Sequence, residues 1–280
     1  GPGYKTPDIR LDYVFLNYKL TNKLILLGGK INNPLYRPSD LLWDSDINPD
    51  AVSFIYKSNT QLKWLDIFVN GLFSTLGRRE DKVNGSVINI SNPILVTIQT
   101  GVKIALNNNF SWDFGLGYCQ TNSLHGEKSK PNGKADYEGV GSNQTLNDFL
   151  PIILSSHIDI FDQLGVQMIR PYGELVVNLN ESDSNKGAIL GIKFGHKKIK
   201  GWRSWQVNTN YRYLQSDAWL DTLPDSDAYG GKTNAKGLEV AFTFGLTNAL
   251  SIGWDVYYMN QIVGGGSNQL LSQMDLDVKF

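Results

Sequence analysis

The sequence has little of what several large protein classes require. A single cysteine among 280 residues can form no internal disulfide and cannot supply the ligands of a cysteine-based zinc site. Its 26 basic and 27 acidic residues leave no positive excess for phosphates, so nucleic acid is not an expected partner. No apolar run approaches the roughly 18–20 residues that a membrane-spanning helix needs, which excludes helical membrane proteins.

Long helical patterns are lacking too, whereas alternation with a period of two is abundant. Apolar residues occupy most even positions from Ile94 to Leu106, and the pattern resumes from Phe110 to Tyr118 after three asparagines. Because successive side chains of a strand point to opposite faces, these segments are read as strands of a hairpin. Comparable segments along the chain bring the predicted number to about thirteen strands.

The two faces of these strands differ in a way that indicates their surroundings. One face is almost continuously apolar and often begins or ends in Tyr, Trp or Phe, while the other is small or polar. This pattern is typical of a lipid-facing band with aromatic girdles around a polar lumen. We therefore predict an all-β fold, an antiparallel transmembrane β-barrel forming one domain over residues 1–280. A soluble β-sandwich or solenoid is the alternative, since its strands also alternate.

The connections alternate between short turns and long loops, as in outer-membrane barrels with short periplasmic turns and long external loops. The longest, residues 120–149, is predicted to be external. Both the first and the last strand then run toward the periplasm, although an antiparallel barrel with both ends there needs an even strand number. We therefore expect further strands upstream of Gly1, cleaved off, deleted or supplied as a separate N-terminal fragment. Gly1-Pro2 could equally be a protease scar.

One loop carries a family resemblance. Gly29 to Asp50 reads GKINNPLYRPSDLLWDSDINPD, which resembles the G-K-x-x-N-P-x-x-R-P-S-D-L-L-W-D-S-D-x-N-P segment of the bacterial putative-porin family. The resemblance implies a multi-pass diffusion channel of the Gram-negative outer membrane, in contact with lipid and lipopolysaccharide. It further implies sixteen strands when complete, a homotrimer, and an inward third external loop at residues 33–50.

The final strand ends in Phe280. A terminal aromatic of this kind resembles the signature that the barrel assembly machinery recognises. A simpler role as a girdle aromatic is also open.

In a passive pore, a few charges at the narrowest point act on passing ions. A constriction loop rich in acid facing a basic wall would create a transverse field, although such aspartates also often bond their own backbone in turns. The predicted loop residues are Arg37, Asp40, Asp44, Asp46 and Asp50, and the predicted wall residues are Arg10, Lys103, Arg170 and Arg212.

Two further kinds of site were considered. Calcium could bind acidic oxygens at Asp44, Asp46, Asp225 and Asp227, without the spacing of an EF-hand; no other cofactor is expected. Ser155, His157 and Asp159 share one strand face, but residues two apart run parallel and do not readily form a nucleophile–base hydrogen bond.

We therefore expect a passive pore that catalyses no reaction. The alternative is a closed or plugged barrel that acts in adhesion or surface structure, or as an enzyme.

Overall fold

The structure, a computed structural model, describes residues 12–60, 62–76, 80–83, 86–89, 92–122, 124, 148–221 and 223–279. Within these residues it is built from strands, turns and loops. The strands are β1 (Val14–Lys19), β2 (Leu24–Lys30), β3 (Asp50–Asn59), β4 (Leu65–Thr75), β5 (Glu80–Val83), β6 (Ser86–Asn89), β7 (Ile94–Asn107), β8 (Phe110–Asn122), β9 (Pro151–Gln163), β10 (Val166–Asn178), β11 (Lys186–Gly195), β12 (Trp205–Leu214), β13 (Ala235–Gly245), β14 (Leu250–Gln261) and β15 (Gln269–Val278).

Thirteen of these strands form one antiparallel sheet in which neighbours in space are neighbours in sequence. The exception is the separate hairpin β5–β6, which lies in the connection between β4 and β7. The predicted all-β fold class and strand number are confirmed, and the arrangement is consistent with a barrel wall. In the described part of the chain, β1 and β15 are the two edges of the sheet.

The alternation read from the sequence is the alternation between the two faces of the sheet. On β8, Leu116 and Tyr118 are 45% and 43% exposed, whereas Asp113 and Cys119 are buried. The exposed face continues along the sheet with further large apolar residues, such as Val52, Leu190 and Leu270, that are exposed. Such a face suits lipid. We call the opposite face, which carries the small and polar residues, the lumen face.

The two rims differ for most connections. Short turns such as 108–109 and 164–165 lie at one rim, while the connections 31–49 and 215–234 lie at the other. The connection 196–204 at the first rim is, however, longer than the connection 179–185 at the second. In the short turn 164–165, Leu164 and Gly165 have φ values of 53° and 76°, which is the left-handed backbone conformation that a tight hairpin requires.

Some predicted features lie outside the described residues. These are Arg10, Phe280 and most of the external loop 120–149, which is described only at its ends. Among the residues that are described, no helix has the length and apolar character needed to cross a membrane.

Candidate pore constriction

Residues 31–49, called here the inward loop, return from the long-loop rim along the lumen face. Gln99 on β7 fixes the backbone of Tyr36 from both sides: its Oε1 accepts from Tyr36 N at 2.7 Å, and its Nε2 donates to Tyr36 O at 2.9 Å. On β4, Asn70 Nδ2 donates to Pro34 O at 3.0 Å. Polar side chains of the wall thus satisfy backbone groups of the loop, as buried backbone requires.

The Tyr36 side chain extends this anchor across the lumen face. Its hydroxyl lies 2.7 Å from Nδ1 of His157 on β9, and its ring packs edge-on against Phe68. Gly115 makes room for the ring, because a Cβ there would lie 2.8 Å from Tyr36 Cδ1. Burial and the charge of Asp113 raise the pKa of Tyr36, so the hydroxyl stays protonated.

Residues 215–234, called here the late loop, pack against the inward loop. Trp219 Nε1 donates to Leu42 O at 2.5 Å, and Asp44 N donates to Leu223 O at 2.6 Å. Asp225 N donates to the carbonyl of Asp40 at 3.3 Å. The two loops share a cluster of apolar side chains, all buried: Leu41, Leu42, Trp43, Ala218, Trp219, Leu220 and Leu223.

Arg212 on β12 is the charged counterpart of that apolar cluster. Its guanidinium donates to Asp40 of the inward loop at 3.0 Å, to Asp225 of the late loop at 3.1 Å, and to Glu239 on the wall. Only 3% of Arg212 is exposed. One buried cation therefore joins both loops to the sheet, and three carboxylates share its charge.

Three carboxylates surround the single cation of Arg212, and this excess of acid affects the pKa of Asp225 in the late loop. Burial and the nearby carboxylate of Asp40 raise the pKa of Asp225 to about 7, against the lowering effect of Arg212. Asp225 therefore holds a proton over much of the range in which an ordinary aspartate is ionised.

The predicted constriction residues have different surroundings. The Asp44 carboxylate accepts from Asp46 N and from Ser226 N of the late loop, each at 3.0 Å, so it bonds backbone. Asp46 is exposed, and Asp50 is the first residue of β3, opposite Lys30. Arg37 Nη1 donates to the carbonyls of Trp43 and Asp44 at 3.0 and 3.4 Å, and burial lowers the Arg37 pKa.

The predicted basic wall is interleaved with acid. Lys103 pairs with Asp113 at 2.8 Å, and Arg170 binds both carboxylate oxygens of Asp159 at 2.5 and 2.8 Å. The wall charges are thus largely balanced locally, so the structure places acids on the wall as well as on the loop.

A cavity of about 240 Å³ remains between the inward loop and strands β10 to β12. It lies where the inward loop faces the wall of the sheet. Three cationic residues and one carboxylate line it, together with hydroxyl and amide groups: Arg37, Pro38, Ser39, Asp40, Trp43, Ser45, Arg170, Tyr172, Lys193, Asn208 and Asn210.

The residues on β9 that resemble a hydrolase set have other partners. Ser155 Oγ donates to Glu174 Oε2 at 3.0 Å, and His157 Nδ1 faces the Tyr36 hydroxyl. His157 Nε2 lies 3.7 Å from Asp159, which is already held by Arg170. In these contacts the three side chains act as supports for the loop and wall.

The carboxylates that converge most closely are Asp40, Asp225 and Glu239, with one oxygen of each within 4.8 Å of the others. Arg212 donates to all three. This set differs from the predicted calcium ligands: Asp225 is common to both, while Asp44 bonds backbone. Calcium at Asp44, Asp46, Asp225 and Asp227 stays a prediction.

Several residues that build the candidate constriction carried a weak signal in the sequence. Gln99, Asp113, Glu174 and Glu239 occupy polar positions of alternating strands, so their lumen-facing direction follows from the period. Their contacts do not, because each depends on which loop returns to which strand. Lys193 had the same signal within β11.

Comparison with known families agrees with this architecture. A family model described as a putative porin matches residues 1–152 and 145–280, which together span the chain. No curated protein matches the sequence.

Proposed function

We propose that this chain, which belongs to the putative-porin family, forms a passive channel of the bacterial outer membrane for small hydrophilic solutes and ions. The route runs along the lumen face and is narrowed by the inward loop. No reaction is needed for this function, because the solute crosses down its own gradient.

The observation that carries the proposal is the docked inward loop together with the polar cavity beside it. The loop is fastened to the wall by Gln99, Asn70 and the Tyr36–His157 contact. Charged side chains then face one another across about 240 Å³ of polar space. Fixed charges at a narrow, low-dielectric passage act strongly on ions.

Conductance of the purified, folded protein in planar bilayers tests the proposal. We expect discrete current steps, with a heat-denatured sample as the control. The sample must be shown to be folded, by its circular dichroism spectrum and by its resistance to unfolding in cold detergent. If such a sample carries no ion current, the protein is not a channel.

A closed barrel is the second candidate, and one observation favours it. The apolar cluster shared by the inward and late loops is buried, and bulky side chains in a lumen exclude water. Under this alternative the folded protein conducts only after the loops are released. Location in the outer membrane and a trimeric state are further parts of the proposal, tested by membrane fractionation and by crosslinking.

A further inference from the structure

We propose that the cavity between the inward loop and strands β10 to β12 binds an oxyanion, a carboxylate or phosphate group carried by a small solute. The inference rests on the proposed function for its biological use, but binding itself can be measured without a channel assay.

The charged side chains that line this cavity are mostly cationic. Its lining includes three cationic side chains, Arg37, Arg170 and Lys193, against the single carboxylate of Asp40. Asp40 is already paired with Arg212 at 3.0 Å, and Arg170 with Asp159. After these pairs are formed, Arg37 and Lys193 are the lining cations that have no carboxylate within 4.0 Å among the described residues.

The strand register places Lys193 beside a second cation. Lys193 lies directly opposite Arg170 on β10 and opposite Asn208 on β12. Two like charges directly opposite each other on neighbouring strands destabilise a sheet. A bound anion between the loop and these strands would offset that repulsion, because it would accept from both cations.

The lining also offers hydrogen-bond donors. Arg37 uses only Nη1 for the loop carbonyls, so within the described contacts its Nε and Nη2 edge is unused. That edge matches the two oxygens of a carboxylate or phosphate. Asn208 accepts from the Tyr172 hydroxyl through Oδ1 at 2.9 Å, and its amide nitrogen has no partner in the described part of the chain.

The size of the cavity sets the class of ligand. At about 240 Å³, it exceeds many times the ~10–15 Å³ that one water requires. Inorganic phosphate or a small dicarboxylate would fit with water around it.

Calorimetric titration of the folded protein in detergent, at constant ionic strength, tests the inference. Inorganic phosphate and succinate are titrated separately, which distinguishes phosphate from carboxylate sources. We expect saturable binding of at least one, and at least tenfold weaker binding by Lys193→Gln, because the substitution removes a hydrogen bond from a charged donor. Lys103→Gln is the matched control: another lumen-face lysine, paired with Asp113, whose loss should change affinity less than twofold.

Two results would overturn the inference: no binding of either anion by wild-type protein, or equal affinity in wild type and Lys193→Gln. If Lys193→Gln does not fold, Lys193→Met is used instead, because methionine keeps an unbranched side chain without the charge. Current steps without anion binding would refute this inference and leave the channel proposal standing. Anion binding without current would do the reverse.

Discussion

Replacing Arg212 by Met should release the two loops from the sheet. The substitution keeps an unbranched side chain of similar length but leaves Asp40, Asp225 and Glu239 without the cation that they share. Because Arg212 is 3% exposed, water cannot readily compensate. Removing one partner of a buried ion pair costs about 3–5 kcal/mol, which corresponds to a shift of roughly two to four orders of magnitude in the loop-docking equilibrium.

The control for this effect is Lys103→Met. Lys103 also forms an ion pair on the lumen face, with Asp113, but its side chain is 51% exposed. Solvent reaches the lysine of this pair, although Asp113 is only 11% exposed. The loss of Lys103 should therefore cost less than the loss of Arg212, which leaves three carboxylates without a cation. Equal effects of the two substitutions would show that burial of the pair does not set its contribution.

Single-channel recording and limited proteolysis together provide the assay. Arg212→Met should conduct more, or with more frequent transitions, and should be cleaved faster within residues 31–49 and 215–234. Neutralising the stranded acids with Asp225→Asn and Glu239→Gln, in an Arg212→Gln background, should restore docking. The reasoning is refuted if Arg212→Met shows wild-type conductance and wild-type cleavage, or if the neutralised triple variant is no better docked than Arg212→Gln alone.

Three further predictions concern the loops. Gly115→Ala should weaken loop docking by about 1–3 kcal/mol, because its Cβ would lie 2.8 Å from the tyrosine ring of the inward loop. Gly117→Ala is the control, since a Cβ there would lie 3.5 Å from the nearest atom. The rates at which a protease cleaves the two variants test this, and equal rates would contradict it. The pKa of Asp225 is raised from 3.8 to about 7, so its contribution to stability is complete below about pH 4 and is lost as pH rises through 7. Asp225→Asn should keep the loops docked at about pH 8, measured by open-channel noise with Asp46→Asn as control; noise that rises with pH as in wild type would argue against it. Asp46→Asn should move the reversal potential more than Asp44→Asn, since Asp46 is exposed and Asp44 bonds backbone; the opposite order would place Asp44 in the ion path.

The sequence predicted the sheet well because its cause is local. A period of two is visible in each strand separately, because successive side chains point to opposite faces of the sheet. The hairpin β5–β6 was missed because four-residue strands give too short a pattern to distinguish from a loop.

The candidate site was predicted less completely, because its contacts are not local. The resemblance at residues 29–50 implied an inward loop, but nothing in that segment shows that Asp40 would meet Arg212, 172 positions later. Asp44 illustrates the same limit. The possibility that such aspartates bond backbone was open from sequence, and one of the amides that Asp44 binds belongs to Ser226, 182 positions away.

The order of the strands has a consequence for how the molecule assembles. Every strand of the large sheet pairs with the next strand in that sheet, so the wall can grow hairpin by hairpin with short chain closures. The hydrogen bond from Trp219 to Leu42 spans 177 positions. The entropic cost of bringing these two residues together becomes small only after the strands between them have formed. The loops are therefore expected to dock last, and burial of the Trp219 indole would mark the end of folding rather than its beginning.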